Sequence, residues 1–143
     1  MMVIKKLTTV LAFLCIIATN SVLAADSNQK LFVNLTSDEI NRATMAIAFS
    51  TKVLTQKKIP VTIYLTVEGV RIADKNIPEH RHANGKSLKE MLSGFMKEGG
   101  RVIVCGMCMK NVGGIKKDEV IEGIQFEGGM SALFEDGTTV LSY

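Results

Sequence analysis

Sequence motifs that identify the common nucleotide-binding and hydrolytic proteins are missing from this chain of 143 residues. No GxGxxG or GxxxxGK(S/T) pattern follows the first predicted strand, so neither dinucleotide nor triphosphate binding has support. No GxSxG elbow occurs, and neither of the two histidines stands beside a recognisable nucleophile. The eight methionines are scattered rather than clustered, which argues against a methionine-rich copper site. These absences leave other residues of the chain to carry the function.

Excess charge of either sign is also small. The chain has 17 basic and 14 acidic side chains, and two of the basic ones, Lys5 and Lys6, lie in an N-terminal segment typical of an export signal. Without that segment the balance is 15 (17 − 2) against 14, and no basic cluster remains. The composition gives no support for a nucleic acid partner, and we expect none.

The first 24 residues have the order of an export signal. Lys5 and Lys6 precede a largely apolar stretch, residues 7–22, which is shorter than the ~20 residues that a membrane span requires. Val22-Leu23-Ala24 then places tolerated or small residues where a signal peptidase needs them. We expect residues 1–24 to be removed, a single domain over residues 25–143, a periplasmic or secreted location, and no membrane association after cleavage.

Apolar runs alternate with helical patterns along the rest of the chain. We predict a capping box at Thr36–Glu39 that opens a helix ending near Gln56, and a second at Ser87–Glu90 that opens a helix ending before Gly99. Strands are predicted at residues 30–35, 61–67, 101–104 and 139–141, and helical turns at residues 117–121 and 130–134. This alternation predicts one α/β domain with a mainly parallel sheet covered on both faces.

Cysteine is scarce, and its placement is the most informative feature of the sequence. Cys15 leaves with the signal, so the mature chain would hold Cys105 and Cys108, three residues apart at the end of a predicted buried strand. Ligands of open α/β sheets gather beyond the carboxyl ends of the strands. A disulfide across so short a loop removes little chain entropy, so the pair is better suited to chemistry than to stabilising the fold. The pattern fits a disulfide, a sulfur-carrying thiolate or a metal site.

The metal alternative adds two histidines to the thiol pair. His80 and His82 are the other residues able to bind a soft metal, and with Cys105 and Cys108 they would supply two nitrogen and two sulfur ligands for zinc or copper(I). Solvated surface histidines explain the same pattern. We therefore assign no metal and no cofactor, and we keep the four-residue set as the alternative.

Four segments resemble the DsrE/DsrF-like family of small α/β proteins. The resemblance extends over about residues 30–143, and its most specific part is the VIVCGMC segment at residues 102–108. The segments are KLFVNLTSDE (residues 30–39), VTIYLTVEGV (61–70), FMKEGGRVIVCGMCMKNVG (95–113) and EGIQFEGGMSALFEDGTTVLSY (122–143).

The resemblance implies a flavodoxin-like or Rossmann-like sheet of four to five strands with helices on both faces, and a homotrimer or homohexamer. It also implies a carrier of persulfide sulfur that works with a donor or acceptor protein. Assigned members of that family act inside the cell, whereas this chain has an export signal, and whether it is an enzyme stays open. One competing hypothesis is an oligomeric binding module for a soft metal ion or a small ligand, without catalysis, and another is an inert structural subunit whose two cysteines form a disulfide.

The two thiols are expected to differ in reactivity. Cys105 ends the predicted strand, whereas Cys108 lies further into the following turn, nearer to free amides at a helix start and to Lys110. Such amides and positive charge stabilise a thiolate, and apolar burial destabilises it. We therefore predict that Cys108 has the lower pKa and attacks first, and that Cys105 resolves the adduct.

Overall fold

A computed structural model describes residues 28–143, which form one parallel sheet with helices. The predicted signal segment and its cleavage site lie outside these residues. The sheet has four strands, β1 (Lys30–Leu35), β2 (Val61–Leu65), β3 (Arg101–Val104) and β4 (Thr138–Ser142). Their order is β3-β2-β1-β4, and all three strand pairs are parallel. The predicted α/β class and mainly parallel sheet are confirmed.

Two longer helices lie on one face of the sheet. These are α1 (Ile40–Lys52), which continues as a π-helical turn over Val53–Lys57, and α2 (Leu88–Lys97). Their buried side chains share one large core with the side chains of alternate strand residues, and this core includes Ile47, Phe95, Val33 and Ile63. Alternate residues of a strand point to opposite faces, so Phe32, Tyr64 and Ile103 lie on the other face.

In the described part of the chain, the second face carries much less structure than the first. Its one described helix is α4 (Gly129–Leu133), which contributes Ala132 and Leu133 to a small cluster with Phe32 and Ile103. Helices are therefore present on both faces as predicted, but one face carries two longer helices and the other a short one. Among residues 28–143, no helix is long and apolar enough to cross a membrane.

The remaining segments are short and connect these elements. Residues 67–73 form a 3-10 helix after β2, and Lys117–Glu119 form another. Between β3 and that second 3-10 helix, α3 (Gly106–Cys108) continues as a π-helical segment over Met109–Gly113. The predicted strand over residues 61–67 ends at Leu65, because the chain turns at Val67, where φ is +50°.

The first predicted capping box is wrong, and the second is confirmed. Glu39 caps α1, since its carboxylate accepts hydrogen bonds from the N–H groups of Asn41 and Arg42. The hydroxyl of Thr36 instead donates to the carbonyl oxygen of Tyr143 at 2.6 Å, which joins the ends of β1 and β4. In α2, the Ser87 side chain and the Glu90 side chain cap each other's backbone N–H as predicted.

Candidate functional site

The cysteine pair lies where β3 ends and a helix begins. The N–H of Cys105 donates to the carbonyl oxygen of Leu65 at 2.9 Å, so the chain is still held beside β2 at this point. The carbonyl oxygen of Cys105 accepts from the N–H of Met109 at 2.8 Å, which closes the first helical turn. Both cysteines are free thiols and half-buried. The predicted position at the carboxyl edge of the sheet is confirmed.

The sulfur of Cys105 caps the helix that follows it. Helix α3 starts at Gly106, and the N–H of Cys108 donates to the Cys105 sulfur at 3.4 Å. Partial burial raises the pKa of Cys105, but the hydrogen bond from the Cys108 N–H, together with interactions with the Cys108 thiol, the Tyr64 hydroxyl and the Met107 N–H, outweighs it. The net pKa of Cys105 is lowered, because these donors stabilise the thiolate.

The thiol of Cys108 has the opposite shift. Its pKa is raised, first by partial burial and then by its hydrogen bond and charge interaction with Cys105, while the N–H of Val67 opposes the rise. The predicted order of the two pKa values is therefore reversed. The reason is the start of the helix at Gly106, which turns the free amides toward Cys105 rather than toward Cys108.

The segment after β2 approaches the cysteines in a strained conformation. Val67 has a positive φ of +50°, which is unfavourable for a β-branched residue, and its side chain is 42% exposed. Two residues on, Gly69 lies so close to β1 that an added Cβ would be 2.2 Å from the carbonyl oxygen of Leu35. Only glycine fits there, and the close approach anchors the segment that brings the Val67 N–H to Cys108.

Tyr64 belongs to the site, although no sequence motif includes it. In the sheet it lies opposite Ile103, and Cys105 follows two residues after Ile103, at the end of the neighbouring strand. Burial is the largest cause that raises the pKa of Tyr64 to about 12, and the hydrogen bond and charge interactions with Cys105 add to it. The sequence shows only a polar side chain near the end of a largely apolar run. Its relation to Cys105 becomes visible once β2 is known to pair with β3.

The other predicted site residues lie apart from the thiols. His80 lines a cavity of about 550 Å³ together with Asp38, Ile72 and Ser87, on the side of the 67–73 segment near α1 and α2. Within residues 28–143, no three His, Cys, Asp or Glu side chains converge as a metal site. The structure thus does not assemble Cys105, Cys108, His80 and His82 into one ligand set.

Lys110, the charge expected to stabilise a thiolate, contributes less to the site than predicted. Lys110 is exposed on the π-helical segment that follows α3, and it is not among the main causes of either thiol pKa shift. Backbone N–H groups and one phenol, rather than a lysine, therefore stabilise the thiolate. The arrangement pairs one thiol of lowered pKa with a neighbouring thiol of raised pKa, which suits sulfur or disulfide exchange.

Comparison with known proteins agrees with this fold and identifies the family. The model of the DsrE/DsrF-like family matches residues 14–142, so the chain belongs to that family. No significant match was found among curated proteins.

Two solved structures are similar to this chain across nearly their whole length. The ychN protein from E. coli is 16% identical, with a TM-score of 0.64. The protein of unknown function MTH1491 from Methanobacterium thermoautotrophicum is 12% identical, with a TM-score of 0.65. Each match covers 80% of this chain and 99% of the other. At such identities the likeness shows a common fold.

Proposed function

We propose that this protein is an exported thiol protein that accepts sulfane sulfur on Cys105 and uses Cys108 to resolve the adduct. The observation that carries the proposal is the capped sulfur: the Cys108 N–H donates to the Cys105 sulfur at 3.4 Å, and the pKa of that thiol is lowered. Membership of the DsrE/DsrF-like family supports a role of the sulfur-relay type in general.

The chemistry needs no cofactor. The Cys105 thiolate attacks the outer sulfur of a donor persulfide, the donor S–S bond breaks, and the donor leaves as a thiol while Cys105 becomes a persulfide. An acceptor thiolate can then attack the outer sulfur, and Cys105 leaves as a thiolate again. A lowered pKa favours Cys105 in both steps, because it increases the thiolate fraction at neutral pH and makes the sulfur a better leaving group.

Cys108 offers a second way to complete the reaction. Its thiolate can attack the inner sulfur of the Cys105 persulfide, which forms a Cys105–Cys108 disulfide and releases hydrosulfide. The step is balanced in atoms and electrons, because the two thiols are oxidised to a disulfide while the sulfane sulfur is reduced to hydrosulfide. The raised pKa of Cys108 keeps it protonated while Cys105 reacts. Sulfur uptake by Cys105 therefore comes first, and attack by Cys108 follows.

Mass spectrometry of the reduced protein, incubated with inorganic polysulfide, tests the assignment. We expect the wild type to gain sulfur transiently and end as a disulfide, and Cys108→Ser to gain one sulfur atom and retain it. Cys105→Ser should gain none at neutral pH. Sulfur on Cys105→Ser, with none on Cys108→Ser, would reverse the two roles. An unreactive wild type would contradict the thiol function itself.

We further propose that the working form is a homotrimer or homohexamer outside the cytoplasm, which meets its sulfur donor or acceptor protein there. Exposed apolar side chains on the thinly covered face of the sheet support an interface between copies. They include Met130, Phe134 and Val140, which are 66%, 74% and 49% exposed.

A further inference from the structure

The site has a third side chain beside the two thiols, and the sheet register explains how it arrives there. Tyr64 in β2 is paired with Ile103 in β3, and the next pair is Leu65 with Val104. The hydrogen bond from the Cys105 N–H to the Leu65 carbonyl extends this pairing by one step. Cys105 therefore lies beside the carboxyl end of β2, one strand away from Tyr64.

The ring of Tyr64 contacts two neighbours. The Phe32 ring of β1 packs against it, with centroids 5.7 Å apart and planes tilted by 52°. The second neighbour is Gly129, the first residue of α4, whose added Cβ would lie 2.6 Å from Cε2 and 2.8 Å from Cζ of the tyrosine. A real Cβ does not approach a ring so closely, so any residue except glycine would displace the ring. The contact at Cζ lies next to the hydroxyl.

We propose that Tyr64 is a further catalytic residue of the thiol site, whose hydroxyl donates a hydrogen bond to the Cys105 sulfur and is positioned by the missing side chain of Gly129. This assignment rests on the proposed thiol function. The hydroxyl acts as a donor and not as an acid, because the pKa of Tyr64 is about 12 and the phenol keeps its proton at neutral pH.

The role of the hydroxyl follows from the charge on the sulfur. Cys105 is a thiolate before it attacks and again after it leaves, and it is uncharged while bonded to a second sulfur. A hydrogen bond from a phenol is stronger to the thiolate than to the neutral sulfur. Tyr64 therefore favours the free thiolate at both ends of the cycle, and it promotes release of sulfur to an acceptor.

The test is the pH dependence of iodoacetamide alkylation at Cys105, read from the mass of its peptide in the reduced full chain. Tyr64→Phe keeps the ring against Phe32 and Gly129 and removes only the hydroxyl. We expect it to raise the apparent pKa of Cys105 by about one unit. Tyr143→Phe is the matched control, and it should leave that pKa unchanged.

Gly129→Ala supplies a second, independent variant, because it keeps the hydroxyl and moves the ring. We expect this change also to raise the pKa of Cys105, and we expect no further rise when it is combined with Tyr64→Phe, since both remove one interaction. An unchanged pKa in Tyr64→Phe overturns the role of the hydroxyl, and an unchanged pKa in Gly129→Ala overturns the positioning role of the glycine.

Failure of this inference can be told apart from failure of the thiol function. Wild-type Cys105 that takes up sulfur, together with an unshifted pKa in Tyr64→Phe, leaves the thiol function intact and removes Tyr64 from it. A Cys105 that never takes up sulfur rejects the proposed function, whatever the pKa of the Tyr64 variant.

Discussion

At the scale of single residues, Gly69 determines how closely the segment after β2 approaches the sheet. Its N–H donates to the carbonyl oxygens of Thr36 and Thr66 at 3.0 and 2.9 Å. Its α-carbon lies against the backbone at the end of β1, where no side chain fits. Because Val67 and its N–H belong to the same short helix, this contact also sets the distance between that helix and Cys108.

We predict that Gly69→Ala destabilises the protein by about 2 kcal/mol or more, since the new methyl group meets backbone atoms that cannot move aside. Urea unfolding followed by circular dichroism measures the change. Gly94→Ala is the matched control, because nothing lies within 4 Å of a Cβ there and alanine favours the helix. Equal stability of Gly69→Ala and wild type would show that the segment shifts at little cost.

Residue roles were the part of the site least accessible to sequence reasoning. The cysteine pair was found from its spacing and from its place after an apolar run. The order of the two pKa values depends on the helix starting at Gly106, directly after Cys105, and sequence patterns do not resolve a helix start to one or two residues. Tyr64 depends on pairing with a strand nearly forty residues away along the chain. Thr36, a strong capping residue, is engaged by Tyr143 instead.

At the scale of elements, the start of α2 shows how far a local pattern can specify structure. The Ser87 hydroxyl accepts from the Glu90 N–H at 3.2 Å, and the Glu90 carboxylate accepts from the Ser87 N–H at 2.9 Å. Ser87 is 1% exposed, so water cannot replace its contribution. All of these groups lie within four residues of the chain.

We expect Ser87→Ala to lower the free energy of unfolding by about 1 kcal/mol, the usual cost of removing a helix cap. Ser93→Ala, later in the same helix, is the control and should change stability much less. Thermal and urea unfolding of the three proteins test this. If the two variants prove equally stable, the capping box contributes nothing specific.

The same box predicts a dependence of stability on acidity. Hydrogen bonding to the Ser87 backbone lowers the pKa of Glu90, with a further contribution from Arg81. A lowered pKa in the folded state means that stability is gained above the ordinary glutamate pKa, near 4.3, and is lost as the pH falls through the folded value. Glu90→Gln should therefore be less stable than wild type near neutral pH, and the difference should shrink in acid. A difference constant with pH would contradict this.

Elements with a local signal were predicted well, and those held by distant contacts were not. The four strands follow from apolar runs rich in β-branched residues, and α2 follows from its capping box. The predicted end of the first helix near Gln56 lies within its π-helical last turn, Val53–Lys57. Its start was predicted too early, because Glu39 supplies the cap that was assigned to Thr36.

At the scale of the whole molecule, the predicted export concerns residues before the described part of the chain. We expect protein recovered from a periplasmic or secreted fraction to begin at or near Ala25, because Lys5-Lys6, the apolar stretch and Ala24 follow the order of a signal peptide. N-terminal sequencing measures this. Cytosolic protein that retains Met1 would contradict both the proposed location and the expected oxidising surroundings of the thiols.

The proposed assembly makes a second prediction at this scale. Parallel sheets are usually covered on both faces, and within residues 28–143 one face carries a single five-residue helix and exposed apolar side chains. We expect light scattering to give the mass of a trimer or hexamer, and Phe134→Glu to reduce it toward one chain. Met45→Glu, at an exposed apolar residue on α1, is the control. A wild-type monomer would reject the assembly.

The hydrogen bond from the Cys108 N–H to the Cys105 sulfur has a spectroscopic consequence. The acceptor is an anion in the thiolate and a neutral atom in the persulfide or disulfide, so the amide proton of Cys108 experiences a different charge in each state. Its resonance should therefore report, without any attached probe, how much of the protein is loaded with sulfur at a given moment. A backbone amide would thus record turnover in the intact wild-type chain.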